Sequence, residues 1–469
     1  MLARLALLLL LAAAATGCAR GGGEEAHVLV IDDATLEDME AAALAQGLVA
    51  FDESGGIVPA LAESWHVSDD GTSYIFRLAT GRWSDGEPIE AEEVARLLQR
   101  RFVAADRSIG DRLGKVAEVE AMTERVIEIR LSVPRPYLLQ LLAQPLFAVR
   151  DEDVATGPFT RLPGETDEGA LILGRLPDDP DADVVTEQRV RIERLSVEQA
   201  LDRFAEGKAD LVTGGRFDTL GLAQAASGLF GAPRLDPVGG LFGLQPVSDH
   251  PLLAKPDTRS ALSSAIDRDA LVQAMNVPDL LPRATILQSG LDVSSAPTVP
   301  AFVAIPVDER REAARRVIAE AQVQTPILRV LLPDGPGSDP LLARLVADWG
   351  TLGIAVERAP DESAADLVLI DKVAPVVSAA WYLREFRCAA ARWCSAAADE
   401  ALVAAADATT ADERALALGA AARLLQQDAV FIPLAAPVRW SLLGNGVEGF
   451  VSNRFARHGV EWLRAKGAR

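Results

Sequence analysis

Apolar and polar positions alternate with a period of two from Ser73 to Leu78. Tyr74, Phe76 and Leu78 share one face and Ser73, Ile75 and Arg77 the other. That is the pattern of a half-buried strand. Asp70-Gly71 precedes it and Asp85-Gly86 follows, both turn dipeptides because glycine tolerates positive φ. Trp65 and Trp83 flank the run as packing aromatics. The period then lengthens, and Val94, Leu97, Leu98 and Phe102 fall on one face of a helix within EPIEAEEVARLLQRRFVAA. ERVIEIRLSV alternates again and ends at Pro134 and Pro136, which cannot continue a strand ladder.

The same two periods organise the rest. HVLVI from His27 predicts a strand, a helical stretch follows around Met39 to Gln46, and Gly55-Gly56 marks a turn. RVRIERL predicts a strand ahead of a self-contained αβ unit. In that unit Ser196 and Gln199 form a capping-box pattern, Val197, Ala200, Leu201 and Phe204 line one face, Gly207 stops the helix, and ADLV is the buried strand after it. Leu262, Ala265, Ile266 and Leu271 form another apolar helical face, and the segment from Val277 to Pro306 is proline-rich and irregular. A helix starts near Asp308. ILRVLLP, DPLLARLVADWGTLG and IAVERA then make a βαβ pattern, and ADLVLI is a further buried strand. Thr410 and Glu413 cap a helix reaching about Gln427, and VFIPLAAPVRW returns as a strand. The chain reads as α/β throughout, with a hairpin-rich insertion between early and late βαβ units.

Composition narrows the function. The 469 residues exceed one domain, and 68 acidic against 46 basic side chains give a formal charge of -22. Such a surface repels phosphate backbones and anionic headgroups, which excludes nucleic acid as a partner. MLAR followed by the apolar run Leu5 to Ala15 is too short to span a bilayer but fits an export signal over residues 1–17. Ala15-Thr16-Gly17-Cys18 resembles the lipobox of bacterial lipoproteins, which implies lipidation of Cys18 and a tether over 18–26. No later stretch approaches membrane length, so the lipid is the expected membrane contact. Export meets oxidising chemistry, so Cys388 and Cys394 are candidates for a disulfide, although spacing alone does not fix their geometry. Four scattered histidines supply no metal site, and no cofactor is expected. G-x-S-x-G, H-E-x-x-H and G-x-x-x-x-G-K-[ST] are all absent, which points away from an enzyme.

Trp65, Asp69-Asp70-Gly71, Tyr74, Phe76, Leu78, Trp83, Asp85-Gly86, Pro88 and Ala91 to Val94 together resemble the signature of the oligopeptide/dipeptide-binding family (family 5) of extracytoplasmic solute-binding proteins for ABC importers. ATGPF, ALDRFAEGKADLV, TRSALSSAIDRDALV, WGTLGIAVE and QQDAVFIPLAAPV resemble further family blocks, in family order. The resemblance implies a three-lobed periplasmic-binding-protein-like fold, two α/β lobes around a cleft and an inserted third. Lobe I would comprise 27–45, 152–239 and 435–469, lobe II 46–151, and lobe III 240–434. Gly239 to Gln245 and Ile432 to Pro437 would be hinge crossings. It also implies a monomeric receptor, in the periplasm or on the outer face of the cytoplasmic membrane. There it would pass a small polar solute, possibly a short peptide, to ABC permease subunits. Two other readings stand beside it, a ligand sensor or envelope interaction protein on the same fold and, more remotely, an exported enzyme.

The expected ligand contacts are Gly240, Phe242, Gly243 and Gln245 at the first crossing, with Asp371, Lys372, Trp381 and Tyr382 after ADLVLI. Aromatics give flat contact area, and Gln245 keeps the amide where relatives carry asparagine. Asp371 and Lys372 stand where peptide binders of the family have Gly-Trp, and the later aspartate that pairs with a peptide amino terminus is absent. Lys372 would meet an acidic group and Asp371 an amine. Glu90 replaces the usual threonine ahead of Ala91, so that helix start is expected to fray.

Overall fold

The computed structural model describes residues 25–109, 116–151, 154–162, 169–176, 188–226 and 231–465. The export signal, Cys18 and most of the expected tether lie outside the described residues. The first strand begins at Glu25, two residues inside the expected tether.

Three sheets organise the chain. The largest has seven strands in the order Phe159–Arg161, Ala170–Arg175, Arg189–Arg194, Glu25–Val30, Leu211–Arg216, Arg439–Leu443 and Arg234–Leu235. Glu25–Val30 pairs in parallel with Arg189–Arg194 and with Leu211–Arg216. Parallel pairing of segments so distant in sequence buries the central strand on both faces, and Val28, Leu29 and Val30 are all but inaccessible. The second sheet has five strands in the order Ala355–Arg358, Ile327–Leu331, Leu367–Val373, Gly240–Pro246 and Ile432–Pro433. Its first two strands are the expected βαβ unit, joined through the helix Ser338–Gly350. The third sheet is an antiparallel meander in the order Ala62–Val67, Ser73–Leu78, Val126–Leu131 and Val116–Thr123. The fold class expected from sequence is the one observed.

Packing follows the periodicity. Tyr74, Phe76 and Leu78 are buried, and Val94, Leu97, Leu98 and Phe102 of the helix Ala91–Ile109 close over them. Each buried side chain of that size contributes about 1.5–3 kcal/mol on leaving water. Trp83 belongs to this core and Trp65 packs against it. The segment that follows the four-stranded sheet docks on the C-terminal half through bonds to backbone. The buried Arg135 donates from Nη2 to Ala406 O at 2.7 Å, and Gln144 Nε2 donates to Pro375 O at 2.8 Å. A second core runs without a break from Leu29, Val212 and Trp440 of the seven-stranded sheet to Leu244, Val330 and Leu367 of the five-stranded one. Among the described residues, no helix is long and apolar enough to cross a membrane.

Candidate functional site

The chain passes between the seven- and five-stranded sheets twice. It leaves after Leu235 and enters Gly240–Pro246, then leaves Ile432–Pro433 and returns at Arg439. Gly240–Pro246 lies between two antiparallel neighbours, with Phe242 opposite Asp371 and Gly243 opposite Pro433. The glycines are required by close approach. A Cβ on Gly240 would sit 2.0 Å from Lys372 O, and one on Gly243 would sit 2.3 Å from Ile432 O. Gly240 also has φ +157°. Phe242 is 1% exposed, its ring edge-on to Phe217 of the other sheet's unit at 5.0 Å.

An ionic seam joins the two sheets beside these crossings. Arg439 Nη1 donates to both carboxylate oxygens of Asp371, at 2.9 and 3.1 Å, and Nη2 donates to Asp371 O at 3.2 Å. Both side chains are largely buried, so the interaction is strong in low dielectric but each ion is costly to leave alone. Burial pushes the Asp371 carboxyl above the usual carboxylate range, and Arg439, with Arg216 further off, opposes it. Next to this pair, Arg216 Nε lies 3.4 Å from the buried Asp218 Oδ1. The backbone then closes the seam: Gly337 N donates to Asp218 O at 2.8 Å. A Cβ on Gly337 would meet Phe217 O at 2.2 Å, which explains the glycines of PDGPGSD at this contact.

An open cleft of about 980 Å³ runs along the crossings. One wall is 235–238 and 436–439, the other the segments 277–289 and 296–303 with Arg268 and Arg310. Arg439 serves both features, lining the cleft and holding Asp371.

Seam and crossings tie the two larger sheets together beside a cleft, and the comparison with known families decides what that arrangement belongs to. The model of bacterial extracellular solute-binding proteins, family 5 (middle), matches residues 56–399. The chain belongs to that family. Probable di/tripeptide-binding protein 5 of Pseudomonas aeruginosa (strain UCBPP-PA14) is 24% identical over 96% of this chain and 95% of its own length. Probable deoxycholate-binding periplasmic protein YgiS of Escherichia coli (strain K12) is 34% identical over 132 residues, 24% of this chain and 25% of YgiS. Among solved structures, Haemophilus influenzae OppA in complex with RPPGFSPFR matches with a TM-score of 0.77 at 18% identity, over 94% of this chain and 99% of that one. That likeness establishes the shared fold.

The residues expected to touch ligand in this family 5 protein occupy three kinds of place. Gly240, Phe242 and Gly243 are the backbone and core of the crossing strand, while Gln245 is partly exposed on it. Asp371 faces Arg439, and Lys372, half exposed, pairs through Nζ with Glu385 Oε2 at 2.5 Å. The two neighbours in sequence therefore do not pair with each other. Trp381 and Tyr382 are buried edge-to-face at 5.0 Å in the core shared with the four-stranded sheet. The Tyr382 hydroxyl has no hydrogen-bond partner, and burial pushes its pKa up to about 12 against the opposing charges of Arg283 and Arg454. Cys388 and Cys394 are joined by a disulfide, Cα atoms 5.0 Å apart. Sequence reasoning missed Arg439, Arg283 and Arg310. Arg439 is 68 residues from its partner, and the other two sit in or beside a segment without periodicity.

Proposed function

We propose that this chain is a lipid-anchored extracytoplasmic receptor that closes on a small polar, peptide-like solute and delivers it to the permease of an ABC importer. One observation carries the reading. Among the described residues the chain passes between the two sheets at two segments, 236–239 and 434–438, and a cleft of about 980 Å³ lies along them. Two connections leave the lobes an axis for rotation, and the volume suits a small solute or short peptide. The di/tripeptide relative and the peptide held by OppA support the class of solute. On this reading lobe I comprises 27–45, 152–239 and 435–469, lobe II 46–151 and lobe III 240–434. Cys18 carries the lipid once residues 1–17 are removed, and the protein works as a monomer in the periplasm or on the outer face of the cytoplasmic membrane.

Lys372 and Gln245 are proposed as further contacts because they are partly exposed, although neither lines the wall of this cleft. Asp371 holds the closed seam through Arg439, while Gly240, Phe242, Gly243, Trp381 and Tyr382 fix the backbone that frames it. A second reading, ligand sensing without transport, draws on one fact: Asp371 is satisfied from within the chain, so the seam closes without a ligand. A thermal-shift panel of di- and tripeptides, amino-acid conjugates and sugars tests both. Ligand at 100 times its Kd adds about 2.7 kcal/mol to stability and raises Tm visibly. No shift with any of them counts against both readings, while transport assays with a stabilising solute separate them.

A further inference from the structure

We infer that the cleft along the crossings is built for a solute that carries a carboxylate in addition to its backbone, bound by Arg283 and Arg310. The inference rests on the receptor reading above and names the chemical class of the solute.

Three arginines converge on this cleft without a carboxylate partner. Arg268, Arg283 and Arg310 all line it, and none makes an ion pair among the described residues. Arg268 is 6% exposed and spends its donors on neutral acceptors: Arg283 O and Pro433 O at 2.9 Å, Ser263 O and Oγ at 2.8 Å. Each of its three nitrogens has an acceptor, and it serves as a fixed positive charge. Arg283 makes one side-chain hydrogen bond, from Nη1 to Gly240 O at 3.2 Å. Among the described residues the Arg310 side chain makes none, and its buried Nε has no partner there. Arg268 and Arg310 both lie against the Phe302 ring, at 5.6 and 5.9 Å from its centroid. Like charges gathered on one cleft repel one another, a cost that an anion bound in the cleft relieves. Burial already disfavours the charged forms of Arg268 and Arg283, with Arg310 adding repulsion to Arg268.

The setting makes this cluster unusual. The chain carries 68 acidic against 46 basic residues, so unpaired arginines are a local reversal of its field. The carboxylates around the cleft do not cancel it. Asp236 is committed to His458 Nε2 at 3.0 Å and to Asn453 N at 2.9 Å. Asp269 and Asp279 are exposed at the mouth, where water screens them. The wall is cationic and the mouth acidic. A guanidinium presents two donors in a fork that matches a carboxylate, and two such forks beside a fixed third charge select for anionic side groups. A polyanion such as nucleic acid is repelled by the net charge of -22 before it reaches the cleft.

Titration calorimetry on the purified full chain with Glu-Glu, Ala-Ala and Lys-Lys dipeptides tests the inference. Glu-Glu should bind at least about tenfold more tightly than Lys-Lys, with the affinity falling as salt rises. Arg310→Gln alone, and Arg283→Gln with Arg310→Gln, should weaken Glu-Glu about tenfold or more while moving Ala-Ala less than about threefold. Circular dichroism and Tm confirm that the variants fold, and the single variant removes no backbone contact. Equal or tighter binding of Lys-Lys overturns the carboxylate inference and leaves the receptor reading standing, as does unchanged Glu-Glu affinity in the folded variants. Binding of none of the three overturns the inference and counts against a peptide solute as well.

Discussion

Tyr382 shows what a single residue contributes to the site without facing solvent. Its ring packs edge-on against Trp381 while its hydroxyl is buried with no acceptor. Burial raises its pKa from 10.0 to about 12. The folded protein therefore holds the phenol proton more tightly than the unfolded chain does. That stability is fully present below pH about 10 and is lost as pH rises through about 12, a swing of about 3 kcal/mol for two pKa units. Tyr382→Phe should therefore lose less stability than the wild type between pH 10 and 12, while being equal or slightly more stable at pH 8, since an unsatisfied hydroxyl is removed. Tm measured at pH 8, 10 and 11.5 checks this, and parallel curves for the two proteins would refute it. The sequence marked Trp381 and Tyr382 as notable through their adjacency, but adjacency carries no information on burial. Asp371 was legible as a charge after a buried strand. Its partner was not, because Arg439 reaches it from another sheet.

Elements were more legible than residues, since their signals are local. Both capping boxes form, Ser196 with Gln199 and Thr410 with Glu413. The helix beginning at Ala91 has Glu90 rather than a capping threonine ahead of it, and Ala91 N donates to Glu124 O at 3.0 Å, so a neighbouring turn satisfies the first of its free N–H groups. Val116–Thr123 escaped the pattern because it is a sheet-edge strand with Glu118 and Glu120 outward and only partly buried Val119 and Ala121 on its inner face. VFIPLAAPVRW is two strands rather than one, since Pro433 and Pro437 remove ladder donors where the chain changes sheets. At this scale the strongest tie is Asp348, wholly buried at the end of Ser338–Gly350. It accepts from Arg311, from Arg344 Nη2 at 2.6 Å and from Asp267 N at 3.0 Å, and so binds three helices together. Asp348→Ala strands two arginines and a backbone N–H and should cost about 3–5 kcal/mol. Chemical denaturation of the two proteins side by side measures it, and a loss under about 1 kcal/mol would mean that the helices are held by their apolar contacts alone.

At the scale of the whole molecule, the early and late halves of the chain build two sheets that share one core and two crossings. The sequence announced the family through the stretch from Trp65 to Val94, yet Tyr74, Phe76 and Trp83 there pack a core and none of them lines the cleft. The cleft itself is assembled from Arg283 and Phe302 in an irregular segment, from Arg268 and Arg310 on the helices either side of it, and from Arg439 far along the chain. Only the tertiary fold brings them together, so no window of sequence could reveal them. Native mass spectrometry of the purified full chain tests the receptor claim most directly. It should detect a complex with one small solute per chain, released on denaturation with a peptide-like mass and restored by adding that solute back. A mass equal to the bare chain throughout, unchanged by any di- or tripeptide, would contradict it.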